Sequence, residues 1–282
     1  YDLTGVIVGS EGTFVIVTKI IVRLMRQPRA VKTFVAIYDD IVDASDTVSA
    51  IIGQGIVPAA LEMMDQGILV ALEEAFHFGF PLDAQAILLI EVDGLEAGLD
   101  GQRDDIIRFC EEAGAREIRM ADDEQERLKL WKCRKQAFGA IGRLSSSFCT
   151  QDGVVPRTQL PNIFKKIRET SEKYDIQIVN VFHAGDGNLH PNISYDRRDE
   201  DEVRRVLEAG DLIMEVCIGY GGSLSGEHGV GLEKQAMMSR LFTPDDLSVM
   251  ARVRRCLDPD ERLNPGKVFP LHACKEVRPR RT

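Results

Sequence analysis

The chain has 282 residues, of which 44% are hydrophobic and 28% charged, with a formal net charge of -10. This composition is that of a globular protein with one large hydrophobic core or two smaller ones. The acidic balance argues against an extended nucleic-acid-binding surface, because phosphate binding requires clustered lysine and arginine. The one basic cluster, residues 278–281, is expected to be a solvated chain end.

No segment has the ~20 consecutive apolar residues of a transmembrane helix, and no signal peptide is recognisable. We therefore expect a cytosolic protein. The chain begins with Tyr1 inside a strand-like run, which suggests processing or truncation. No two cysteines form a C-x-x-C pair, so we expect reduced, mostly buried thiols and no iron–sulfur cluster or zinc ribbon. The cysteines are Cys110, Cys133, Cys149, Cys217, Cys256 and Cys274.

Two strands, at residues 3–8 and 14–24, are predicted on either side of a turn at residues 9–13. From residue 32 onward, strands and helices alternate. Strands are predicted at residues 32–38, 59–64, 85–92, 117–121, 148–155, 177–183 and 190–195. Helices are predicted at residues 42–53, 69–76, 98–113, 122–141, 160–174, 200–219, 232–241 and 244–257.

This alternation is compatible with a doubly wound parallel sheet or with a ferredoxin-like antiparallel sheet. No glycine-rich nucleotide-binding fingerprint follows any of the strands, which removes the main reason to choose the parallel fold. The sequence therefore predicts an α+β fold, in which helices flank a ferredoxin-like antiparallel sheet.

Three of the five histidines lie in two glycine-rich stretches, residues 181–192 and 225–229. If residues 177–195 form a hairpin, His183 and His190 lie on its two arms and can converge on one ion. Glu227 would add a carboxylate. Two imidazoles and a carboxylate suit zinc, manganese or iron and leave a position open for substrate.

Two further polar residues accompany these ligands. Asn192 lies two residues beyond His190 and projects to the same face of the strand. His228 can act as a base near neutral pH. Histidines are also common as hydrogen-bonded scaffold groups, and spacing alone leaves this interpretation and the metal site about equally supported.

Arg134 lies on a predicted helix and can present a planar fork to a substrate carboxylate; a plain surface arginine is the alternative. The turn at residues 9–13 can bring backbone N–H groups close to a cofactor, or it can be an ordinary hairpin turn.

Four motifs occur together in this chain, at residues 3–13, 181–192, 222–229 and 263–267. With these motifs the chain resembles, over essentially its whole length, the FAD-linked oxidases of the vanillyl-alcohol-oxidase type. Residues 131–143, 152–153 and 155–157 are closest to one group of that family, the FAD-binding subunits of bacterial glycolate oxidases.

The resemblance implies three regions. Residues 1–27 would be the C-terminal strands of a truncated FAD-binding domain, residues 28–258 the cap or substrate domain, and residues 259–282 a segment that returns to the flavin. The first half of the FAD domain, with its pyrophosphate-binding loop, would lie outside this chain.

The resemblance also implies roles for individual residues. Contacts with FAD are implied for Gly9, Ser10, Glu11, Gly12, Thr13 and Asn264. Metal ligation is implied for His183, His190 and Glu227, substrate binding for Arg134 and Asn192, and the base for His228. There are two departures from the family: Phe14-Val15 replaces Leu-Gly, and Thr150 replaces a lysine of relatives that act on longer diacids.

The implied activity is FAD-dependent oxidation of a small 2-hydroxy acid, glycolate or D-lactate. Partners would be an iron–sulfur subunit and a second flavin-type subunit, near the inner face of the membrane. Alternatives are a metal-dependent hydrolase using the His-His-Glu set, a D-lactate or D-2-hydroxyglutarate dehydrogenase of the same family, and a non-catalytic interaction module whose histidines only brace the hairpin.

Overall fold

A computed structural model describes residues 1–270 and contains two compact units. The sheet unit is Arg26–Gly222, and the terminal unit combines Tyr1–Met25 with Ser223–Thr282. Cys274 and the basic cluster at residues 278–281 fall outside the described residues. The predicted domains at residues 1–27, 28–258 and 259–282 stay a prediction, because compactness alone does not test a functional boundary.

Helices and strands alternate through the sheet unit. The strands are β1 Ala30–Tyr38, β2 Ala60–Asp65, β3 Ala86–Gly94, β4 Glu117–Met120, β5 Ser147–Thr150, β6 Gly153–Val154, β7 Ile178–His183, β8 Asn188–Leu189 and β9 Pro191–Tyr195. The α-helices of residues 1–270 are α1 Thr4–Ile7, α2 Ile41–Gly53, α3 Gln66–Phe76, α4 Glu96–Glu112, α5 Glu124–Ile141, α6 Leu160–Tyr174, α7 Glu200–Gly219, α8 Met238–Leu241 and α9 Pro244–Leu257. None of these helices is both long and apolar enough to cross a bilayer.

The sheet is antiparallel, with strand order β4-β1-β3-β2-β7-β8-β6. Its first four strands follow the ferredoxin-like order, and β9 pairs with both β5 and β7. The prediction of an α+β fold with flanking helices is therefore confirmed. The predicted hairpin of residues 177–195 also forms, with Val179 opposite Asn192.

Helices cover both faces of the sheet. Alternate residues of a strand point to opposite faces, so Phe34 packs with α2, α4, α6 and α7, whereas Val35 packs with α3 and α5. This double burial explains the continuous apolar runs of β1 and β3. On the face covered by α5, the apolar pattern is interrupted by two buried glutamates, Glu62 and Glu91.

Three local predictions were wrong. Residues 3–8 and 14–24 are not strands: the first contains the single turn α1, and within residues 1–270 no strand pairs with the second. A strand needs a partner to satisfy its backbone groups. The strand at 148–155 divides into β5 and β6, and only α8 with a short 3₁₀ turn forms within 232–241.

The cysteines follow the expectation of mostly buried thiols within the described part of the chain. Cys110, Cys133 and Cys217 are buried, Cys149 is intermediate and Cys256 is exposed. Burial raises the pKa of Cys110 to about 11 and that of Cys133 to about 12. These two thiols are therefore protonated at neutral pH and act as small apolar side chains.

Asp65, at the end of β2, couples the stability of the sheet unit to pH. Its carboxylate accepts hydrogen bonds from the backbone of Ile68 and from the backbone and side chain of Asn180. Burial nevertheless raises the pKa of Asp65 to about 6 from 3.8. Because the folded-state pKa lies above the unfolded value, the folded protein binds more protons between these two values.

We therefore expect Asp65 to contribute less to the unfolding free energy as the pH rises from about 4 to about 6. The loss is roughly 3 kcal/mol. Urea unfolding at several pH values measures this loss. The unfolding free energy of the wild type should fall relative to that of Asp65→Asn, whose side chain does not titrate. A difference that stays constant across this pH range contradicts the expectation.

Candidate active site

A buried carboxylate organises the α5 face of the sheet unit. Glu62 on β2 lies directly opposite His183 on β7. Its Oε1 is 2.8 Å from Nδ1 of His183, and its Oε2 accepts a hydrogen bond of 2.8 Å from Nε of Arg134. Glu62 is 7% exposed and Arg134 is 8% exposed. One glutamate therefore joins a predicted metal ligand to a predicted substrate-binding residue.

The hairpin brings the two predicted histidine ligands together. The ring centroids of His183 and His190 are 5.4 Å apart, and the two ring planes are nearly perpendicular. A ring nitrogen of His183 lies within 4.8 Å of a ring nitrogen of His190. His190 is buried, with Phe138 at 6.2 Å between ring centroids. A carboxylate oxygen of the fully buried Asp152 also lies within 4.8 Å of a His190 ring nitrogen.

These imidazoles fit a metal ion. Glu62 holds Nδ1 of His183, which leaves Nε2 as the ring nitrogen for an ion, and a carboxylate behind a histidine is common at metal sites. His183 and His190 can thus supply two nitrogen ligands from the sheet unit. The third predicted ligand, Glu227, belongs to the terminal unit, and its ligand role stays a prediction.

Arg134 is not a surface arginine, so that alternative is wrong. Its position on α5 directs it to Glu62, and its guanidinium carbon lies 5.8 Å from the ring centroid of Phe138. Only Nε is engaged: within residues 1–270, its two terminal nitrogens form no hydrogen bond. These two groups form the planar fork that suits a carboxylate.

Asn192 on β9 is fully buried and lies opposite Val179 of β7. Its Oδ1 accepts a hydrogen bond of 2.7 Å from the Thr150 hydroxyl, and its Nδ2 donates one of 2.6 Å to the carbonyl of His190. The side chain therefore braces β9 and fixes the backbone at His190. Its predicted contact with substrate remains a prediction.

In the terminal unit, the turn at residues 9–13 holds two other segments. The Glu11 carboxylate accepts hydrogen bonds from the backbone N–H groups of Val230 and Gly231, at 2.7 and 2.9 Å. The Glu11 carbonyl accepts one of 2.7 Å from the Asn264 side chain. A Cβ at Gly12 would come within 3.0 Å of that same amide. Two of the predicted cofactor-binding segments are thus brought together.

The same turn is internally braced. The Thr13 hydroxyl donates a hydrogen bond of 2.6 Å to the Ser10 carbonyl, and Gly9 has a φ of 81°, which favours glycine. Glu11 adopts a φ of 52°, so its backbone conformation is also one that side chains rarely take. Its two charge-assisted hydrogen bonds supply an interaction that offsets this strain.

The loop that carries Glu227 and His228 is fixed from both sides. Ser225 Oγ accepts from the backbone of Gly229 at 2.8 Å, and Glu11 holds the residues that follow. A Cβ at Gly229 would lie 2.9 Å from the Glu11 carboxylate, so this approach requires glycine. Both Glu227 and His228 remain about half exposed, with Oε1 of the first 3.5 Å from Nε2 of the second.

Helix α9 positions the motif at residues 263–267. Arg254 donates a hydrogen bond of 2.7 Å to the carbonyl of Leu263, and Asp258 accepts from the backbone of Arg262 and Leu263. Hydrogen bonds from the Leu263 and Arg262 backbones hold the pKa of Asp258 below its usual range. Asn264 itself has a φ of 44°.

A cavity of about 310 Å³ lies within the terminal unit beside the turn. Ser10 and Thr13 line it together with apolar side chains, and Phe14 and Phe269 stack with 6.1 Å between ring centroids. Hydroxyls, an acidic turn and an aromatic wall are suitable surroundings for part of a flavin.

Sequence reasoning missed Glu62 and Asp152. The signal for Glu62 was present: an acidic residue stands between Leu61 and Met63 in a predicted buried strand. A buried charge needs a partner, so a glutamate at this position indicates a buried cation close to it. Asp152 lies within one of the family motifs, but nothing in the sequence indicates that it is fully buried.

Two solved structures have a similar fold. The chain matches a p-cresol methylhydroxylase with a TM-score of 0.68 and 13% identity, covering 87% of this chain and 54% of that one. It matches an alkyldihydroxyacetonephosphate synthase with a TM-score of 0.63 and 17% identity, covering 95% and 49%. At these identities the likeness establishes the fold.

Residues 27–268 match the family model "FAD linked oxidases, C-terminal domain", and the chain belongs to that family. It is 42% identical over 277 residues to the glycolate oxidase subunit GlcD of Escherichia coli K12, covering 98% of this chain and 56% of the relative. The corresponding subunit of Bacillus subtilis is 40% identical, with 98% and 59% coverage.

A more distant relative is a mitochondrial D-lactate dehydrogenase [cytochrome] of Arabidopsis thaliana, at 28% identity with 97% and 48% coverage. The chain thus spans about half the length of the curated relatives it matches. The predicted resemblance to FAD-linked oxidases and to glycolate oxidase subunits is confirmed.

Proposed function

We propose that this chain supplies the substrate-binding part of an FAD-dependent enzyme that oxidises a small 2-hydroxy acid to the 2-oxo acid. The observation that carries the proposal is the buried Arg134, anchored through Nε while its terminal nitrogens remain unengaged by the described residues, beside the His183–His190 pair. Membership in the FAD-linked oxidases supports the same chemistry.

Each residue has a defined task. Arg134 binds the substrate carboxylate through its two terminal nitrogens and so fixes which face of the neighbouring carbon is presented. His228 accepts the proton of the substrate hydroxyl. FAD, when bound, supplies the acceptor for the hydride, and the turn at residues 9–13 with Asn264 borders it. Asn192 contacts the substrate or holds His190 in place.

We also propose a divalent cation, zinc, manganese or iron, held by His183, His190 and Glu227. When bound, it supplies positive charge that lowers the pKa of the substrate hydroxyl. Two closely spaced imidazoles, one with a carboxylate behind it, support this proposal. Removal of metal by a chelator should lower activity, and one of these cations should restore it.

The size of the substrate is set near Thr150. A lysine at this position would offer a second cation to a diacid, whereas the Thr150 hydroxyl is engaged with Asn192. We therefore propose glycolate or D-lactate as the substrate in preference to D-2-hydroxyglutarate.

Electrons must then leave the reduced flavin. We propose that an iron–sulfur subunit and a second flavin-type subunit receive them, in a cytoplasmic complex that associates with the inner face of the membrane through its partners. The similarity to glycolate oxidase subunits supports an enzyme with several subunits.

The proposal is tested with the complete protein that contains this chain, reconstituted with FAD and an artificial electron acceptor. We expect glyoxylate from glycolate or pyruvate from D-lactate, and much less 2-oxoglutarate from D-2-hydroxyglutarate. The metal-dependent hydrolase predicts instead that ester or amide substrates are cleaved without flavin. The absence of any 2-oxo acid product contradicts the proposed oxidation.

A further inference from the structure

Glu62 divides its two carboxylate oxygens between two functional side chains. Oε1 lies 2.8 Å from Nδ1 of His183, and Oε2 lies 2.8 Å from Nε of Arg134. The carboxylate is buried, so these contacts are made away from bulk water and are stronger than surface pairs. Glu62 is therefore in direct contact with both residues.

The two contacts fix which atoms remain for ligands. An ionised carboxylate only accepts hydrogen bonds, so a neutral His183 ring that donates from Nδ1 to Glu62 presents Nε2 as its metal-binding nitrogen. On Arg134, Nε is the atom used, which leaves the two terminal nitrogens for a bidentate contact. Each side chain is held by the atom that does not perform its proposed task.

The backbone supports this arrangement. Glu62 and His183 are paired residues of β2 and β7, so neither can shift along its strand without a change of register. Arg134 approaches from α5, where the neighbouring Cys133 and Ala137 are buried in the apolar cluster on this face of the sheet. The geometry of the three groups is thus determined by two strands and one helix.

We propose that Glu62 is a positioning residue that orients His183 for metal binding and Arg134 for carboxylate binding at the same time. This role rests on the proposed oxidation of a 2-hydroxy acid. A glutamine at this position would keep the shape of the side chain. It would offer one acceptor oxygen and one donor NH₂ group, whereas His183 and Arg134 both donate to the glutamate. Glu62→Gln must therefore either lose one of the two contacts or shift His183 to its Nε2–H tautomer, and in both cases it leaves Arg134 without its buried counter-charge.

The test uses Glu62→Gln in the complete FAD-loaded protein, with Glu91→Gln as matched control. Glu91 is also a buried glutamate on the α5 face and also binds an arginine of α5, but it does not contact His183. We expect Glu62→Gln to weaken Zn²⁺ binding about 10- to 100-fold. We also expect Glu62→Gln to raise the KM for glycolate. In Glu91→Gln, both the Zn²⁺ affinity and the KM should stay near the wild-type values.

A second readout does not depend on activity. Nitrogen-15 NMR of the histidine rings in the metal-free protein, with the His183 signal assigned from His183→Gln, reports which ring nitrogen carries the proton. We expect the Nδ1–H form in the wild type and a mixture of tautomers in Glu62→Gln. Rescue by Glu62→Asp should be partial, because the shorter carboxylate reaches one partner at a time.

The outcomes separate the two proposals. Unchanged Zn²⁺ affinity, KM and tautomer in Glu62→Gln overturn the positioning role, as does an equal loss in Glu91→Gln, which would indicate a general weakening of the fold. A wild-type protein that oxidises no 2-hydroxy acid overturns the proposed function. If the wild type oxidises no 2-hydroxy acid but the tautomer of His183 still differs between the wild type and Glu62→Gln, Glu62 orients the imidazole even though the proposed function is wrong.

Discussion

Arg134→Gln is expected to lower kcat/KM for glycolate or D-lactate by about 10³-fold. The substitution removes two charge-assisted hydrogen bonds to the substrate carboxylate, and these contribute roughly 4 kcal/mol together. Because the carboxylate also orients the carbon that reacts, both a higher KM and a slower flavin reduction are expected. Rapid-mixing measurements of flavin reduction over a range of substrate concentrations give both parameters.

Arg127→Gln is the matched control for this variant. Arg127 lies on the same helix and also binds a buried glutamate, but its partner is Glu91 and not Glu62. It should keep kcat/KM within a few-fold of the wild type even if the protein is less stable. Equal losses in the two variants, or wild-type kinetics in Arg134→Gln, would show that Arg134 does not bind the substrate.

Glu91→Ala is expected to reduce the unfolding free energy by about 3–5 kcal/mol. Glu91 accepts hydrogen bonds from Thr33, Arg127 and Trp131, and its removal leaves these donors without their acceptor in a poorly hydrated site. Burial raises the pKa of Glu91, but the hydrogen bonds from these three residues outweigh it and hold the pKa below its usual value.

Urea unfolding measures this loss, and Glu124→Ala serves as its control. Glu124 binds the same arginine at 3.0 Å, but it is largely exposed. Exposed pairs contribute about 0–1 kcal/mol, so little change is expected. A loss of under about 1 kcal/mol in Glu91→Ala, or equal losses in both variants, would mean that this buried network contributes little to the stability of the sheet unit.

Much of the sheet unit could be predicted from the sequence because its elements are long and periodic. β1 and β3 are continuous apolar runs, and α6 and α7 have apolar positions at helical spacing. The N-terminal segment was mistaken for strands because its residues have strand-like composition. Composition cannot show whether a partner strand exists, and residues 14–24 pair with none among residues 1–270.

The candidate site was only partly predictable. The predicted hairpin places His183 and His190 close together, because the length of its loop sets the register of the two strands. The contact between Glu62 and His183 joins positions 121 apart in the chain, and it appears only when β2 and β7 are paired. The burial of Arg134 could not be predicted from the sequence either, because α5 has many charged residues on all sides. The side of α5 that faces the sheet is recognised only from its contacts with Glu62 and Glu91.

The most direct test of the account is the absorption spectrum of the complete FAD-loaded protein, mixed anaerobically with glycolate or D-lactate. Without oxygen or an electron acceptor, hydride transfer must leave the flavin reduced. We predict that one of the two substrates bleaches the visible flavin band and yields one 2-oxo acid per flavin. A band that persists with both substrates would contradict the proposed oxidation.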